Sequence, residues 1–249
     1  TIATRSIGLR GVVKGAGDVV LTAAGLNGKT AKITVTDPAA LRLSSPWGSP
    51  AVLGKGLQSS VNLMYVERTV NGIAFASPEA LTVTLVCVSA AVCAAPASVT
   101  IPAGQSYTSF PLSGVEVGSS ELLATAPGFG SATGFQLKVL NPTLEFGQLD
   151  GSRSLSSVRD DFYLGFSVPG SPTSQSALVD TVVSLVLSDQ NPPGLVSGIY
   201  DAAEGGNAVA EVVIPAGSYQ SYPQMRYVER PLATGSYTVT ATVAGLATA

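Results

Sequence analysis

Apolar and polar positions alternate with a period of two through most of the chain. Runs of five to nine residues set Val, Thr, Leu and Ile against small polar side chains. Gly, Pro, Asn and Ser interrupt these runs at intervals of about 8–12 residues, the rhythm of a β-sandwich. No stretch sustains the 3.6-residue period of an amphipathic helix. The pattern therefore predicts an all-β chain in which any helix is short. In the middle of the chain it predicts strands near 40–44, 58–66, 80–88, 97–101, 106–112, 120–126 and 133–140.

The pattern also recurs. Gly15–Gly25 reads GAGDVVLTAAG, Gly118–Gly128 reads GSSELLATAPG, and Gly235–Gly245 reads GSYTVTATVAG. The three align without gaps, and a large apolar residue follows each: Leu26, Phe129 and Leu246. Ile101–Gly104 and Ile214–Gly217 both read IPAG. Asp37-Pro38 and Asn141-Pro142 each close an alternating strand. One copy per roughly 100–115 residues matches a seven-stranded sandwich. Boundaries at Pro38 and Pro142 divide the chain into three parts. Residues 1–37 hold the C-terminal strands of a partial domain, 38–141 a complete domain, and 142–249 a domain lacking its last strand. Proline at a junction restricts φ and removes an N–H, so the connections are expected to be short and stiff.

In the repeated strand, Leu122, Ala124 and Ala126 share one face. Their counterparts are Val19, Leu21 and Ala23, then Val239, Ala241 and Val243. That is the buried face of a strand. Leu81–Cys87 is matched to Val182–Ser188 in the third copy. In the former strand Val86 and Val88 fall opposite the core face, beside Thr82 and Thr84, so something is expected to cover them.

Leu81–Leu85 followed by Pro96-Ala97-Ser98-Val99-Thr100-Ile101-Pro102-Ala103-Gly104 resembles the bacterial Ig-like repeat of large secreted and cell-surface proteins. The resemblance implies tandem immunoglobulin-like β-sandwich domains in an extracellular or cell-surface protein. Gly235–Ala241 resembles that family's tyrosine-containing F strand, which implies that Tyr237 hydrogen-bonds backbone at a sheet corner. The other copies depart from it, with Gly17 and Ser120 in that place.

Composition narrows the function. Charged residues make up 12% of the chain, about half the usual ~25%, so part of the surface is expected to be covered. With 16 acidic and 13 basic residues, net charge −3, there is no basic face for nucleic acid. No apolar run is long enough to insert in a membrane. The chain has no histidine, hence neither the commonest general base nor the commonest metal ligand. No catalytic residue, cofactor or metal site is assigned. The first residues begin in mid-pattern without a methionine, so a longer gene product is expected.

Cys87 and Cys93, the only cysteines, flank one loop. They are either a disulfide suited to an oxidising compartment or two packed thiols. Asp160-Asp161 is an adjacent acidic pair in which turn and solvation roles are favoured over calcium. The stretch 189–207 is longer than its counterpart and offers Asp189, Asn191, Tyr200, Asp201 and Glu204 as a candidate interaction loop. Trp47 is expected to cover a domain junction. Glu67-Arg68 and Glu229-Arg230, each after Tyr-Val, fall on different strands and are read as coincidence. The preferred function is an extracellular structural repeat protein: filament, sheath, surface layer or fibre stalk. The alternative is an adhesin or carbohydrate-binding module. Partners are expected to be further Ig-like domains of the same chain, the preferred case, or self-association by strand complementation.

Overall fold

The structure, a computed structural model, describes residue 9, residues 15–35 and residues 39–244. Among the described residues there is no helix. The Asp37-Pro38 boundary lies outside them.

The first element is a hairpin of β1 (Gly15–Ala23) and β2 (Leu26–Val35). Next come β3 (Ala40–Ser44), β4 (Ala51–Gly54), β5 (Leu57–Gln58), β6 (Met64–Val70), β7 (Ile73–Ala74) and β8 (Leu81–Cys87). They are followed by β9 (Cys93–Ala94), β10 (Ser98–Ile101), β11 (Tyr107–Phe110), β12 (Ser113–Gly114), β13 (Gly118–Thr125) and β14 (Phe135–Leu140). A five-stranded sheet in the order β10-β8-β13-β14-β4 faces a smaller sheet of β11, β6, β3 and β7. The opening strand is divided between the two sheets: β3 pairs with β6, while β4 runs parallel to β14. The face-to-face packing of two sheets, antiparallel except where β4 joins β14, makes the unit an immunoglobulin-like sandwich.

A second sandwich follows two residues later. Its strands are β15 (Thr143–Gly147), β16 (Asp160–Ser167), β17 (Ser176–Ala177), β18 (Thr181–Asn191), β19 (Ile199–Tyr200), β20 (Glu211–Ile214), β21 (Arg226–Val228) and β22 (Ser236–Thr242). One sheet runs β15-β16-β21-β19 and the other β20-β18-β22. The fold is thus all-β, with tandem Ig-like sandwiches.

Each sandwich has its own core. Leu43, Met64, Val66, Val83, Leu122 and Val139 lie in the first. Phe162, Leu164, Val183, Val212, Ile214 and Ala241 lie in the second. Burying each large side chain among these contributes about 1.5–3 kcal/mol, and the period-two alternation delivers them to one face of every strand.

The repeats coincide strand for strand. Ala124 pairs with Leu85 in the first sandwich, and Ala241 with Leu185 in the second. Ile101 pairs with Leu81, and Ile214 with Thr181. Leu81 therefore corresponds to Thr181, one residue before the match read from sequence. In the hairpin Gly15 faces Val35, as Gly118 faces Val139 in β13–β14. Gly15 and Gly118 even share their backbone angle, φ 156° and 157°. The hairpin is thus built like the last two strands of a sandwich. On it, however, Leu21 is 52% exposed, so the face expected to be buried has no cover among the described residues.

Two strand expectations need correction. The strand expected over 58–66 is β6, at 64–70, because residues 59–63 form a turn with Val61 exposed at its tip. β4 was not expected at all: its Ala-Val-Leu-Gly is apolar without alternation and sits in a Pro- and Gly-rich stretch.

Candidate functional site

The most elaborated site is the joint between the sandwiches. β4 uses one edge to pair with β14. Its other edge is finished by a side chain from the second sandwich. Gln175, 1% exposed, accepts a hydrogen bond from the Gly54 N–H at 2.8 Å through Oε1. Its Nε2 donates to the Val52 carbonyl at 2.8 Å and to Ser171 Oγ at 3.0 Å. The amide thus occupies the place of a neighbouring strand's rung. A sheet in the order β17-β5-β12-β9 then crosses the joint, with Ala177 opposite Leu57. The Leu178 N–H donates to the Gly56 carbonyl at 3.1 Å. Leu57, from the chain of the first sandwich, is buried in the core of the second. Gly54 is required by contact: a Cβ there would lie 2.6 Å from Leu57 Cδ1 and 2.8 Å from Val168 Cγ2. Nothing in the alternation pattern marks Gln175, Leu57 or Gly54. The only signal in the sequence is the glycine pair of Gly54-Lys55-Gly56.

The stretch 189–207 is not a free loop. Its apolar residues Leu195, Val196 and Ile199 enter the second core. Asp189 and Asn191 belong to the end of β18, where the register shifts between Ser188 and Asn191. Tyr200 lies in β19 under the Arg159 guanidinium, 3.8 Å from the ring centroid. Arg159 also bonds Glu229 at 2.9 Å and the carbonyls of Ala202 and Gly205. Asp201 accepts the Asn207 N–H at 2.8 Å, and that bond holds its carboxyl below the usual carboxylate range. Glu204 is exposed. Asp189 accepts the Ser188 hydroxyl and Asp201 the Asn207 N–H, so the two carboxylates make separate local bonds. Among the described residues no group of three or more Cys, Asp and Glu is gathered as a metal site.

The other sequence candidates separate as follows. Cys87 and Cys93 form a disulfide. Asp160 and Asp161 alternate across β16, so Asp160 is buried and Asp161 exposed. Asp160 pairs with Arg153 and accepts the Asp150 N–H at 3.0 Å. Burial pushes its carboxyl up, and the Asp150 N–H and Arg153 pull against that. Tyr237 departs from the corner role that the resemblance implies: its hydroxyl has no backbone hydrogen-bond partner among the described residues. Burial first, and then the nearby Asp160, push its phenol up. Trp47 is 57% exposed and joins neither core, so it covers no junction among the described residues. Glu67 pairs with Arg42, whereas Glu229 pairs with Arg159. Arg68 is buried and donates to the carbonyls of Glu79, Ile101 and Pro102.

Three surface features remain. Tyr65 and Tyr107 meet edge to face at 5.6 Å and, with Ser44, Ser45, Pro46 and Glu67, line a shallow cleft of about 380 Å³. Val86 and Val88 are 50% and 59% exposed, uncovered among the described residues. A groove of about 470 Å³ runs along β22, between Gly235–Val239 and the segment Leu149–Arg153 with Leu155. No helix among the described residues is long and apolar enough to cross a membrane.

No family model matches the chain, and no curated protein matches it. Solved structures are similar only distantly. The adhesin InvE of Yersinia pseudotuberculosis is 13% identical over 85% of this chain and 56% of that one, with a TM-score of 0.33. Domains 4–9 of the surface layer protein SbsC are 14% identical over 96% of this chain and 35% of that one, with a TM-score of 0.34. A β-glucuronidase of Parabacteroides merdae is 9% identical over 86% of this chain and 24% of that one, with a TM-score of 0.28. The chain thus spans little more than half of the first of these and about a third or less of the others. Surface proteins and an enzyme occur side by side, and likenesses this distant carry no argument for the function of either.

Proposed function

We propose that the chain is a stiff structural segment of an extracellular surface protein, built from stacked Ig-like sandwiches and without catalytic activity. The joint carries this reading. A linker that merely tethers two domains needs no buried amide and no strand pairing across it. Here Gln175 completes β4, and Leu57 is embedded in the neighbouring core. Each device opposes rotation of one sandwich against the other. The Cys87–Cys93 disulfide supports an oxidising compartment. The absence of histidine and the 12% charged content support a structural role over catalysis. Small-angle X-ray scattering of the purified chain is expected to fit a single arrangement of the two sandwiches. Antibody labelling of intact cells is expected to find the chain outside. A broad ensemble of arrangements, or an epitope confined to the cytosol, would overturn the reading.

A second reading, a carbohydrate-binding module, is supported by the cleft at Tyr65 and Tyr107, where aromatic faces adjoin a carboxylate and a hydroxyl. Sugar rings stack on such faces while their hydroxyls bond the polar rim. A glycan array with Tyr107→Ala as control distinguishes it: a glycan bound by the native chain and lost in the variant favours this reading.

A further inference from the structure

In the first sandwich β14 lies between β13 and β4. In the second, β22 holds the place of β13, because it pairs with β18 in the register in which β13 pairs with β8. The far edge of β22 has no strand partner among the described residues. Across from it, where the first sandwich has β4, stands the segment Leu149–Leu155. The groove between them follows Gly235 and the first four residues of β22, Ser236–Val239, a length of about 16 Å at the rise of a strand. Its position and length are those of a strand antiparallel to β22.

The same chain displays a strand of that kind. β2 is paired to β1 in the register that joins β14 to β13, and β1 and β22 are copies of one sequence repeat. By that register Ala31, Ile33 and Val35 take the places of Phe135, Leu137 and Val139, the inward side chains of β14. On the hairpin Ala31 and Ile33 are exposed. Charge favours a meeting of these two ends. Residues 1–37 carry five basic and two acidic side chains, whereas residues 142–249 carry ten acidic and four basic ones. Opposite net charges steer encounter and fix polarity.

We propose that the groove beside β22 receives β2 of a second copy of this chain, so that copies join head to tail. The joint is β-augmentation: main-chain bonds supply affinity and the alternating apolar side chains set register. In that register Val35 faces Gly235, Ile33 faces Tyr237 and Ala31 faces Val239, while Thr34 faces Ser236; β22 takes over the edge of β2 that β1 holds, so β2 leaves its own hairpin as it enters the groove. A head-to-tail contact is heterologous and propagates. The proposal rests on the structural-segment reading and names its partner.

The test mixes two variants that each add one cysteine to the bonded Cys87–Cys93 pair, Thr34→Cys and Ser236→Cys, both at exposed positions that leave the cores untouched. Mild oxidation is expected to give a disulfide-linked dimer, about tenfold more of it than Thr34→Cys mixed with Thr240→Cys, which is four residues out of register. Sedimentation velocity of the unmodified chain is expected to show oligomers that grow with concentration and weaken as salt rises to about 0.5 M. A chain lacking residues 1–37, which keeps both cores, is expected to stay monomeric. Monomers at every concentration, oligomers indifferent to that deletion, or equal crosslinking in both registers would overturn the proposal. So would a groove found filled by a following segment of the same polypeptide. A monomer that retains one arrangement of its sandwiches in scattering removes the assembly and leaves the stiff-segment reading standing.

Discussion

Replacing Gln175 by Ala isolates the joint from the two cores it connects. The side chain satisfies the buried Gly54 N–H and the half-buried Val52 carbonyl, and it also bonds Ser171. Water has poor access to Gly54, so its N–H becomes an orphan donor at a cost of about 1–3 kcal/mol. The Val52 carbonyl is nearer solvent and adds about 1 kcal/mol. The total, about 2–4 kcal/mol, is less than the ~5–15 kcal/mol that holds a domain folded. Both sandwiches should therefore survive while the coupling between them weakens. Gln175→Glu is expected to do at least as much harm. It keeps an acceptor for Gly54, but it sets a carboxylate against the Val52 carbonyl and buries its charge. Spin labels on Lys138 and Glu211, exposed strand positions in the two sandwiches, would report their separation by pulsed EPR. A narrow distance distribution is expected in the native chain and a broad one in both variants. Amide exchange should find faster opening at Gly54 and Leu178. Unchanged distributions together with unchanged exchange would refute the account of Gln175 as the rung that completes β4.

Leu57→Ala should destabilise the second sandwich by about 2–5 kcal/mol, although residue 57 lies in the chain of the first, because its side chain is in the second core; exchange mass spectrometry resolves which sandwich opens. Reducing Cys87–Cys93, which closes a short loop, should cost the first sandwich about 2 kcal/mol. For a domain of this size that lowers the calorimetric midpoint by roughly 8–16 °C, and an identical midpoint with reductant would contradict it. The Asn207 N–H holds the carboxyl of Asp201 below its ordinary value. That contribution to the 201–207 turn is present above the ordinary Asp pKa and is lost as pH falls through the lowered one. Acid should therefore speed Asn207 amide exchange beyond the intrinsic rate change in the native chain, and Asp201→Asn should show little of that added pH dependence.

What was legible in the sequence was whatever local periodicity encodes. The repeated strand shows itself because its glycines sit at fixed places and its apolar residues alternate between them. Leu122, Ala124 and Ala241 are buried as that alternation requires. Val86 and Val88 proved exposed for the same reason. The joint was illegible because it is made by single contacts across long separations. Gln175 reaches Gly54 over 121 positions, and nothing near Gln175 in the chain distinguishes it from an ordinary loop residue. The stretch 189–207 misled in the opposite direction. Its Pro, Gly, Asp and Asn read as solvent-exposed loop, yet Leu195, Val196 and Ile199 within it are core residues.

These failures share a cause. A sandwich strand must satisfy its neighbours along the whole of its length, so its pattern is spread over many residues and survives in the sequence. A side chain that finishes one edge, or a loop that plugs one end, meets its requirement at one or two residues. The middle of each Ig-like unit is therefore written redundantly, and its ends are not. Among the described residues the ends hold the joint, the bare hairpin and the open edge of β22. An interaction in a tandem array takes place at such ends, which is where folded geometry adds most to what the repeats already disclose.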